Sequence, residues 1–464
     1  MSITLSVGRR RRHLRPTMAV ALGFLGVIVV GTALLAAPWS SASGKASALS
    51  GALFTATSAT CLTGLITVDT ATHWSTVGQV IIIALIQVGG LGFMTMASLL
   101  ALLMAGRLGL RRRLDATAEG RGIDLGEVAW VVRATVLFTL VIEALVAAFL
   151  TVRFHVGHGY GWGRAAWEGV FHAISGFNNA GFALYTDNVI GFAADAWVLL
   201  PLAFALMIGG IGFPVLLEGA RRVRARYDGR PRRRWSLTAR FTLIGTAILV
   251  PAGMLMVALG EWNGALAQVG GVDGREPTTP VRLLNAFFAG VSPRTAGFNS
   301  VDYADFHPST LLGTDILMFI GGGSGGTAGG VKITTAAVLI AAIVAEARGD
   351  DSVISHGRRL GGRVVRQSLA VLAAAIALVV GATMGLLILA PQFTSDQILF
   401  EVTSAFATVG LSTGITGQLP VAAQLILILL MFAGRVGPLA LATALAARSR
   451  DRLYDFPEER PFIG

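Results

Sequence analysis

The chain has 464 residues, of which 54% are hydrophobic and only 14% are charged, and its mean hydropathy is +0.68. Because a soluble domain carries roughly 25% charged residues, this composition excludes an ordinary soluble protein and indicates one that lies in a lipid bilayer. The net charge of +11 does not indicate a nucleic-acid partner, since the arginines form short clusters between apolar runs. The single cysteine, Cys61, excludes an intrachain disulfide and a cysteine metal cluster.

Basic clusters divide the chain and predict its orientation in the membrane. They lie at 9–15, 107–121, 221–234, 348–366 and 448–460. Cytoplasmic segments carry the excess of Lys and Arg close to membrane ends, so the stretches between the clusters are expected to reach the outside. Each interval must leave the cytoplasm and return to it. The pattern therefore predicts two spans in each interval, eight spans in total, and both termini in the cytoplasm.

Each outer stretch contains a short apolar run, at 48–59, 165–177, 280–291 and 396–407. About a dozen residues are too few to cross a bilayer core about 30 Å thick. As helices, these runs would enter the membrane partway and return as extended chain. Lipid tolerates such backbone only where protein encloses it or where it lines a water-filled path. The runs therefore predict four re-entrant pore loops.

The same pattern follows each short run: small or polar residues, a glycine and then a bulky apolar residue. The four glycines are 117, 116 and 113 residues apart. Rings of backbone carbonyls replace the hydration shell of potassium, and glycine reaches the backbone angles that aim a carbonyl inward. The expected filter residues are Leu62, Thr63, Gly64, Asn179, Ala180, Gly181, Thr295, Ala296, Gly297, Thr408, Val409 and Gly410. The carboxylates of Asp69, Asp187 and Asp302 either concentrate cations outside the filter or lie on an ordinary solvated face.

The predicted fold class is an all-α membrane protein in which four pseudo-symmetric units of outer helix, pore helix and inner helix surround one central pore. The expected segments are a cytoplasmic N-terminus 1–16, pore repeat one 17–106, a cytoplasmic loop 107–127, pore repeat two 128–220, a basic cytoplasmic loop 221–235, pore repeat three 236–347, a cytoplasmic loop 348–362, pore repeat four 363–447 and a cytoplasmic C-terminus 448–464.

A glycine-rich run interrupts the expected inner helix of the third repeat, with seven glycines among residues 321–330. Each glycine costs about 1 kcal/mol relative to alanine in a helix, so the helix is predicted to break and to line a cavity below the filter. Two cations, Lys332 and Arg435, are expected either to face the pore as part of a gate or to snorkel to the cytoplasmic interface. The expected gate residues are Gly321, Gly322, Gly323, Ser324, Gly325, Gly326, Thr327, Ala328, Gly329, Gly330, Lys332 and Arg435.

Other functional readings find less support in the sequence. The run also fits G-x-G-x-x-G, but no soluble strand precedes it, which argues against a dinucleotide site. The sequence contains no cluster of nucleophile, base or metal-ligating residues of the kind that would indicate an enzyme. A coupled secondary transporter with inverted repeats is the alternative function, although the four repeats share one orientation. Glu143, inside an apolar run, belongs either to a proton relay or to a structural hydrogen bond.

These motifs together resemble the Trk/Ktr/HKT superfamily of potassium transporters, and the resemblance covers about residues 15–450. The single span before the first pore helix is similar to the KtrB-type membrane subunit. The pieces that carry the resemblance are 57–65, 176–182, 294–298, 321–332 and 434–438.

The resemblance implies a potassium-selective subunit of a bacterial potassium-uptake system, multi-pass in the plasma membrane, with an intramembrane gating loop that Arg435 faces. It also implies a homodimer seated on a cytosolic nucleotide-binding ring of the KtrA type. Potassium ions would occupy the filter, sodium would act as an activator, and no covalent cofactor is expected. Glycine at position 64 favours potassium over sodium, since serine stands there in some plant relatives that pass sodium.

Overall fold

The structure is a computed structural model, and it describes residues 16–106, 125–229, 234–270 and 276–437. Over these ranges the chain is mainly helical, with one small antiparallel hairpin of β1 (Ile354–Ser355) and β2 (Arg358–Arg359). The predicted cytoplasmic N-terminus 1–16, apart from its last residue, the predicted C-terminus 448–464 and most of the predicted loop 107–127 lie outside the described residues.

The helices follow one another in a repeating order of long helix, short helix and second apolar helix. They are α1 (Pro16–Ala36), α2 (Leu49–Cys61), α3 (Thr70–His73), α4 (Thr76–Gly106), α5 (Leu125–His158), α6 (Trp162–Phe177), α7 (Ala196–Ile211), α8 (Phe213–Tyr227), α9 (Leu237–Gly260), α10 (Ala265–Gln268), α11 (Thr279–Val291), α12 (Pro308–Phe319), α13 (Ile333–Arg348), α14 (Gly362–Leu389), α15 (Ser395–Ala407) and α16 (Val421–Val436). Short 3-10 turns lie at Pro38–Ser40, Ile190–Phe192, Tyr303–Asp305 and Thr416–Gln418.

Long apolar helices identify a membrane protein. Within the described ranges, three helical stretches are long and apolar enough to cross a bilayer: Val132–His158, Leu237–Gly260 and Gly362–Leu389. The bent pair of α7 and α8 makes a fourth if it counts as one span. Other apolar helical stretches within the described ranges, Val20–Ala36, Thr76–Gly92 and Val421–Val436, are 10–17 residues long, so the eight-span topology stays a prediction.

Short helices lie at the four places where the sequence predicts them, and they form the centre of the fold. These helices, α2, α6, α11 and α15, are mostly buried. Each packs against the long helix that precedes it. The last described helix, α16, packs against both α15 and α2, so the fourth part of the chain meets the first.

Two of the helical runs that follow a short helix are broken. The predicted break in the third repeat is observed, because α12 ends at Phe319 and α13 begins at Ile333. A parallel bridge between Ile320 and Val331 closes the base of the intervening segment. The second break was not predicted: α7 and α8 meet at Gly212, where φ is 95° and the helix axes bend by 97°.

Candidate functional site

The four loops that follow the short helices meet at their glycines. A Cβ atom built on each of them would lie 2.8–3.3 Å from Cα of the next glycine, in the order Gly64, Gly181, Gly297, Gly410 and back to Gly64. The contact at Gly410 is the tightest, because its Cβ would also lie 2.1 Å from the carbonyl oxygen of Thr63. The four glycines thus form a closed ring of backbone, and no side chain fits between neighbouring loops.

Each loop holds two residues in the left-handed backbone region. The glycines have φ between 72° and 97°, and two residues earlier Leu62, Asn179, Thr295 and Thr408 have φ between 51° and 72°. Leucine and threonine rarely adopt this conformation, which costs about 1–3 kcal/mol per residue and persists where the surrounding structure imposes it. Such repeated strain is typical of a functional backbone, and a carbonyl ring requires unusual angles of this kind.

A serine of each short helix or its cap holds the loop that follows. These serines are Ser58, Ser175, Ser292 and Ser404. In the first and fourth loops, the hydroxyl accepts a hydrogen bond of 3.0 Å from the N–H of the loop glycine. In the second and third loops, it donates to the carbonyl oxygen of the next residue, Phe182 or Phe298. The hydroxyls therefore fix the position of each loop backbone relative to its helix.

The structure brings all twelve predicted filter residues together in these loops. Eleven are buried and Gly410 is partly exposed. The buried hydroxyls of Thr63, Thr295 and Thr408 have no hydrogen-bond partner. Side-chain oxygens of these threonines are thus not engaged elsewhere in the described part of the chain.

The glycine-rich segment 321–330, the predicted gate, lies directly against the fourth loop. Most of it is buried, and a Cβ built on Gly329 would lie 2.0 Å from Oγ1 of Thr408. The start of the segment also bonds to the residue that follows its end, since the N–H of Gly321 donates to the carbonyl of Val331 at 2.8 Å. Only glycine leaves room for this approach, so the composition of the segment follows from its position.

The same segment also bonds to the end of α7. The N–H of Gly323 donates to the carbonyl of Gly210 at 2.9 Å, and the N–H of Thr327 donates to the carbonyl of Gly209 at 3.2 Å. These carbonyls lie in the last turn of a helix that stops at Gly212, so they lack the partners that a continued helix would give them. The segment therefore replaces the missing turn.

Both predicted gate cations contact the glycine-rich segment. Arg435 is 2% exposed, and its Nη1 donates to the carbonyl of Thr327 while Nη2 donates to the carbonyl of Gly89 at 3.4 Å. Lys332 Nζ donates to the carbonyls of Ala328 and Gly329. Neither side chain extends away to an interface, which favours the gate reading over snorkelling.

A role for a second set of glycines, which contact the short helices closely, was not predicted from the sequence. A Cβ built on Gly89, Gly209 or Gly434 would lie 2.1, 1.9 or 1.7 Å from a carbonyl oxygen of the neighbouring short helix. In each case that carbonyl belongs to the residue four positions before a loop glycine, namely Thr60, Phe177 and Phe406. A local signal existed, because residues 89–92 and 209–212 share the pattern Gly-Gly-x-Gly.

Glu143 is a structural partner of the second loop. Its Oε1 accepts from Nδ2 of Asn178 at 2.9 Å, and its Oε2 accepts from Nε2 of Gln87 at 3.1 Å. Asn178 directly precedes the left-handed residue Asn179. This geometry favours the structural reading of Glu143 over a proton relay, since the carboxylate only accepts from two amides.

Two substitutions at Glu143 separate these readings. Glu143→Leu leaves Nε2 of Gln87 without its acceptor, at a cost of about 1–3 kcal/mol, and removes one acceptor of Asn178, which keeps its bonds to the carbonyl of Ile174 and to Oε1 of Gln87. We expect the thermal unfolding temperature in detergent to fall by about 2–5 °C. Glu143→Gln retains an acceptor for Asn178 but cannot carry a proton, so we expect it to preserve cation flux. Loss of flux in a stable Glu143→Gln protein would instead indicate a relay.

The outer carboxylates have local structural roles. Asp69 accepts from the N–H of Ala71 at 2.9 Å and from the hydroxyl of Thr186 at 2.7 Å. Asp302 accepts from the N–H of Ala304 at 2.9 Å. These two carboxylates begin short helical turns, as N-cap residues do, which explains their presence without a bound cation.

The chain is similar to known proteins in both sequence and structure. The profile of the TrkH family, described as "Cation transport protein", matches residues 6–453. The chain is 36% identical over 451 residues to the Ktr system potassium uptake protein B of Bacillus subtilis, with 97% of both chains covered. It is 34% identical over 470 residues to the potassium/sodium uptake protein NtpJ of Enterococcus hirae, with 100% of both covered.

Among solved structures, the potassium transporter TrkH from Vibrio parahaemolyticus has the same fold, with a TM-score of 0.71 at 18% identity, over 95% of this chain and 87% of that one. The sequence matches extend over nearly the whole chain, well beyond the filter and gate motifs. This chain therefore belongs to the TrkH family of cation transport proteins, which are membrane transporters and not enzymes.

Proposed function

We propose that this protein is the potassium-selective, ion-translocating subunit of a bacterial potassium-uptake system. The observation that carries the proposal is the closed ring of four glycine loops with strained, left-handed backbone. Such a ring offers several carbonyl oxygens at once, which is what a dehydrated potassium ion needs. The names of relatives that match almost the whole chain, a potassium uptake protein and a potassium/sodium uptake protein, support the same cargo.

The proposed architecture has four units of outer helix, pore helix and inner helix around this ring, with eight spans and both termini in the cytoplasm. In this arrangement α1, α5, α9 and α14 are the outer helices, and the pore repeats keep the predicted bounds 17–106, 128–220, 236–347 and 363–447. The packing of each short helix on the long helix before it supports these units. The protein would lie in the plasma membrane.

In the proposed gate, the segment 321–330 blocks the path beside the filter, and Arg435 and Lys332 hold it there. Their hydrogen bonds to its carbonyls support this role. Displacement of the segment would open a path lined by glycine backbone. A cation close to the path also raises the barrier for another cation, so the closed state is reinforced by charge.

The proposed protein partners are a second copy of this chain and a cytosolic nucleotide-binding ring. The lipid bilayer surrounds the membrane-embedded chains. The name of the relative from Bacillus subtilis, a protein of a "Ktr system", supports a multi-component transporter. Potassium is the proposed cargo, sodium is a proposed activator, and we propose no covalent cofactor and no nucleic-acid partner.

Cation flux into liposomes tests the filter assignment. Purified wild-type protein should pass potassium at least about tenfold faster than sodium. Gly64→Ser should lower that ratio several-fold, because a Cβ at this position would lie 2.5 Å from the carbonyl oxygen of Ala180, within the ring. The readout is the ratio of initial potassium and sodium fluxes in separate vesicle preparations of the same batch.

The matched control is Gly51→Ser in α2, where an added Cβ meets only an ordinary contact of 3.9 Å with Val68. It should leave the flux ratio unchanged. Equal ratios in Gly64→Ser and the wild type would contradict the filter assignment. Absence of any potassium or sodium flux, even with a cytosolic partner added, would favour the secondary-transporter alternative.

A further inference from the structure

The filter loops are not held alike, and the difference lies at one position of the short helices. Nine residues before the loop glycine, the second and fourth units carry His172 and Glu401. Both side chains are almost fully buried, at 1% and 0% exposed. Each contacts the chain just after its own loop glycine, on the stretch that leaves the ring.

His172 accepts a hydrogen bond from the backbone of the second loop. Its Nδ1 lies 2.7 Å from the carbonyl oxygen of Glu168, and its Nε2 lies 3.3 Å from the backbone nitrogen of Leu184. A carbonyl only accepts and a backbone N–H only donates, so Nδ1 carries the proton and Nε2 is the acceptor. The ring also stacks on Tyr185 with centroids 4.9 Å apart. His172 is thus a neutral acceptor in a fixed orientation.

Glu401 makes the equivalent contact in the fourth loop with more bonds. Its Oε1 accepts from the N–H of Thr413 at 3.1 Å and from the hydroxyl of Ser412, and its Oε2 accepts from the hydroxyl of Thr416 at 2.8 Å. Thr413 lies three residues after Gly410, as Leu184 lies three residues after Gly181. Two different side chains therefore accept from the equivalent backbone N–H, three residues after the loop glycine, in two of the units.

The first and third units have no such acceptor at this position within the described residues. Their equivalent residues are Thr55 and Phe288. The hydroxyl of Thr55 is buried without a hydrogen-bond partner, and phenylalanine has no polar atom. In the ring, each of these units lies between the second and the fourth. The two loops with this helix acceptor, called braced, are therefore diagonal to each other, and so are the two without it, called unbraced. The outer part of the third loop is bonded to its neighbour instead, since the N–H of Asn299 donates to Oδ1 of Asn188 at 3.3 Å.

We propose that His172 and Glu401 are positioning residues that fix the outer part of one diagonal pair of loops and thereby set the discrimination between potassium and sodium. This inference rests on the proposed filter function and adds the side chains that control its geometry. Sodium is smaller than potassium, so carbonyls must move closer together to replace its hydration shell. Two loops pinned by buried hydrogen bonds resist that movement, whereas the other diagonal pair adapts as an ion passes.

Substitutions that remove only the acceptor test the proposal in liposome flux assays of the full-length protein. His172→Phe retains an aromatic ring to stack on Tyr185 but cannot accept from Leu184, and Glu401→Met retains the length of the side chain. Each should lower the potassium-to-sodium flux ratio at least about fivefold, through faster sodium flux and a higher KM for potassium, with a smaller change in maximal potassium flux.

Rescue and control variants make the test specific. His172→Gln and Glu401→Gln each provide an amide oxygen for the same N–H, so both should keep the flux ratio within about twofold of the wild type. The matched controls, Thr55→Val and Phe288→Leu, change the same position in the unbraced loops and should not alter the ratio. If the Phe or Met variant fails to fold, His172→Asn or Glu401→Asp takes its place, because each ends short of the backbone N–H.

Three outcomes of these flux measurements would overturn the proposed positioning role. Folded acceptor-free variants with an unchanged flux ratio would overturn the positioning role while leaving the proposed potassium function intact. An equal loss of ratio in the control variants would also overturn it, because the effect would then not depend on the acceptor. A wild-type protein that shows no selective flux would overturn the proposed function and this inference together.

Discussion

Replacing Gly209 by alanine is expected to abolish potassium flux, or to reduce it at least about tenfold. The new Cβ would lie 1.9 Å from the carbonyl oxygen of Phe177, and backbone there cannot move aside as a flexible side chain would. Phe177 ends α6, two residues before the left-handed Asn179 and four before Gly181. Forcing extra volume into such a contact costs about 1–3 kcal/mol or more and shifts backbone, so the second loop would leave the ring.

Initial potassium flux into liposomes, together with the thermal unfolding temperature, measures this effect. Gly92→Ala is the matched control, because Gly92 occupies the last position of the equivalent Gly-Gly-x-Gly pattern and an added Cβ there meets no atom within 4 Å. We expect the control to conduct like the wild type. Flux of Gly209→Ala within about twofold of the wild type would show that the close approach is not required.

Replacing Arg435 by glutamine is expected to raise potassium flux in the absence of any partner protein by about tenfold. The substitution removes a buried, charged donor to the carbonyl of Thr327, and such bonds are worth about 1.5–3 kcal/mol. Because 1.4 kcal/mol is a factor of ten, loss of a bond made in the closed state alone would favour the open state by about tenfold or more. Removal of the positive charge also lowers the barrier for a permeating cation.

Single-channel or liposome recordings of purified protein provide the measurement, with Arg348→Gln as the control. Arg348 is an exposed arginine in the last turn of α13, beyond the glycine-rich segment, and its loss should leave flux unchanged. A decrease in the flux of Arg435→Gln, in a protein that unfolds at the wild-type temperature, would contradict the gate. It would instead indicate that the arginine maintains the conducting path.

The sequence predicted the features that depend on residues close to one another along the chain. Short apolar runs between basic clusters predicted the four short helices to within three residues of their observed bounds. The spacing of Gly64, Gly181, Gly297 and Gly410 predicted loops that meet, because a repeated glycine after a repeated helix indicates a repeated backbone requirement. Seven glycines in ten residues predicted the break between α12 and α13 on helix propensity alone.

The sequence could not show which atoms approach one another across the chain. The bend at Gly212 lies in a pattern, Gly-Gly-Ile-Gly, that resembles residues 89–92, yet α4 continues as a helix through Gly92. Tertiary contacts decide the difference, since a Cβ on Gly212 would lie 2.7 Å from the nitrogen of Gly326. Glu143 likewise remained ambiguous until Asn178 and Gln87 were placed beside it.

The bonds between the glycine-rich segment and the end of α7 have a consequence for the energetics of opening. If the segment moves as proposed, the carbonyls of Gly209 and Gly210 lose their donors, and the N–H groups of Gly323 and Thr327 lose their acceptors. Unpaired backbone groups are costly in a dry interior. Water can replace the partners of both the carbonyls and the N–H groups, whereas a permeating cation can replace only the donors to the carbonyls. In the proposed gate, opening and wetting of the pore are therefore one event, and a dehydrating osmolyte excluded from the pore should shift the equilibrium toward the closed state.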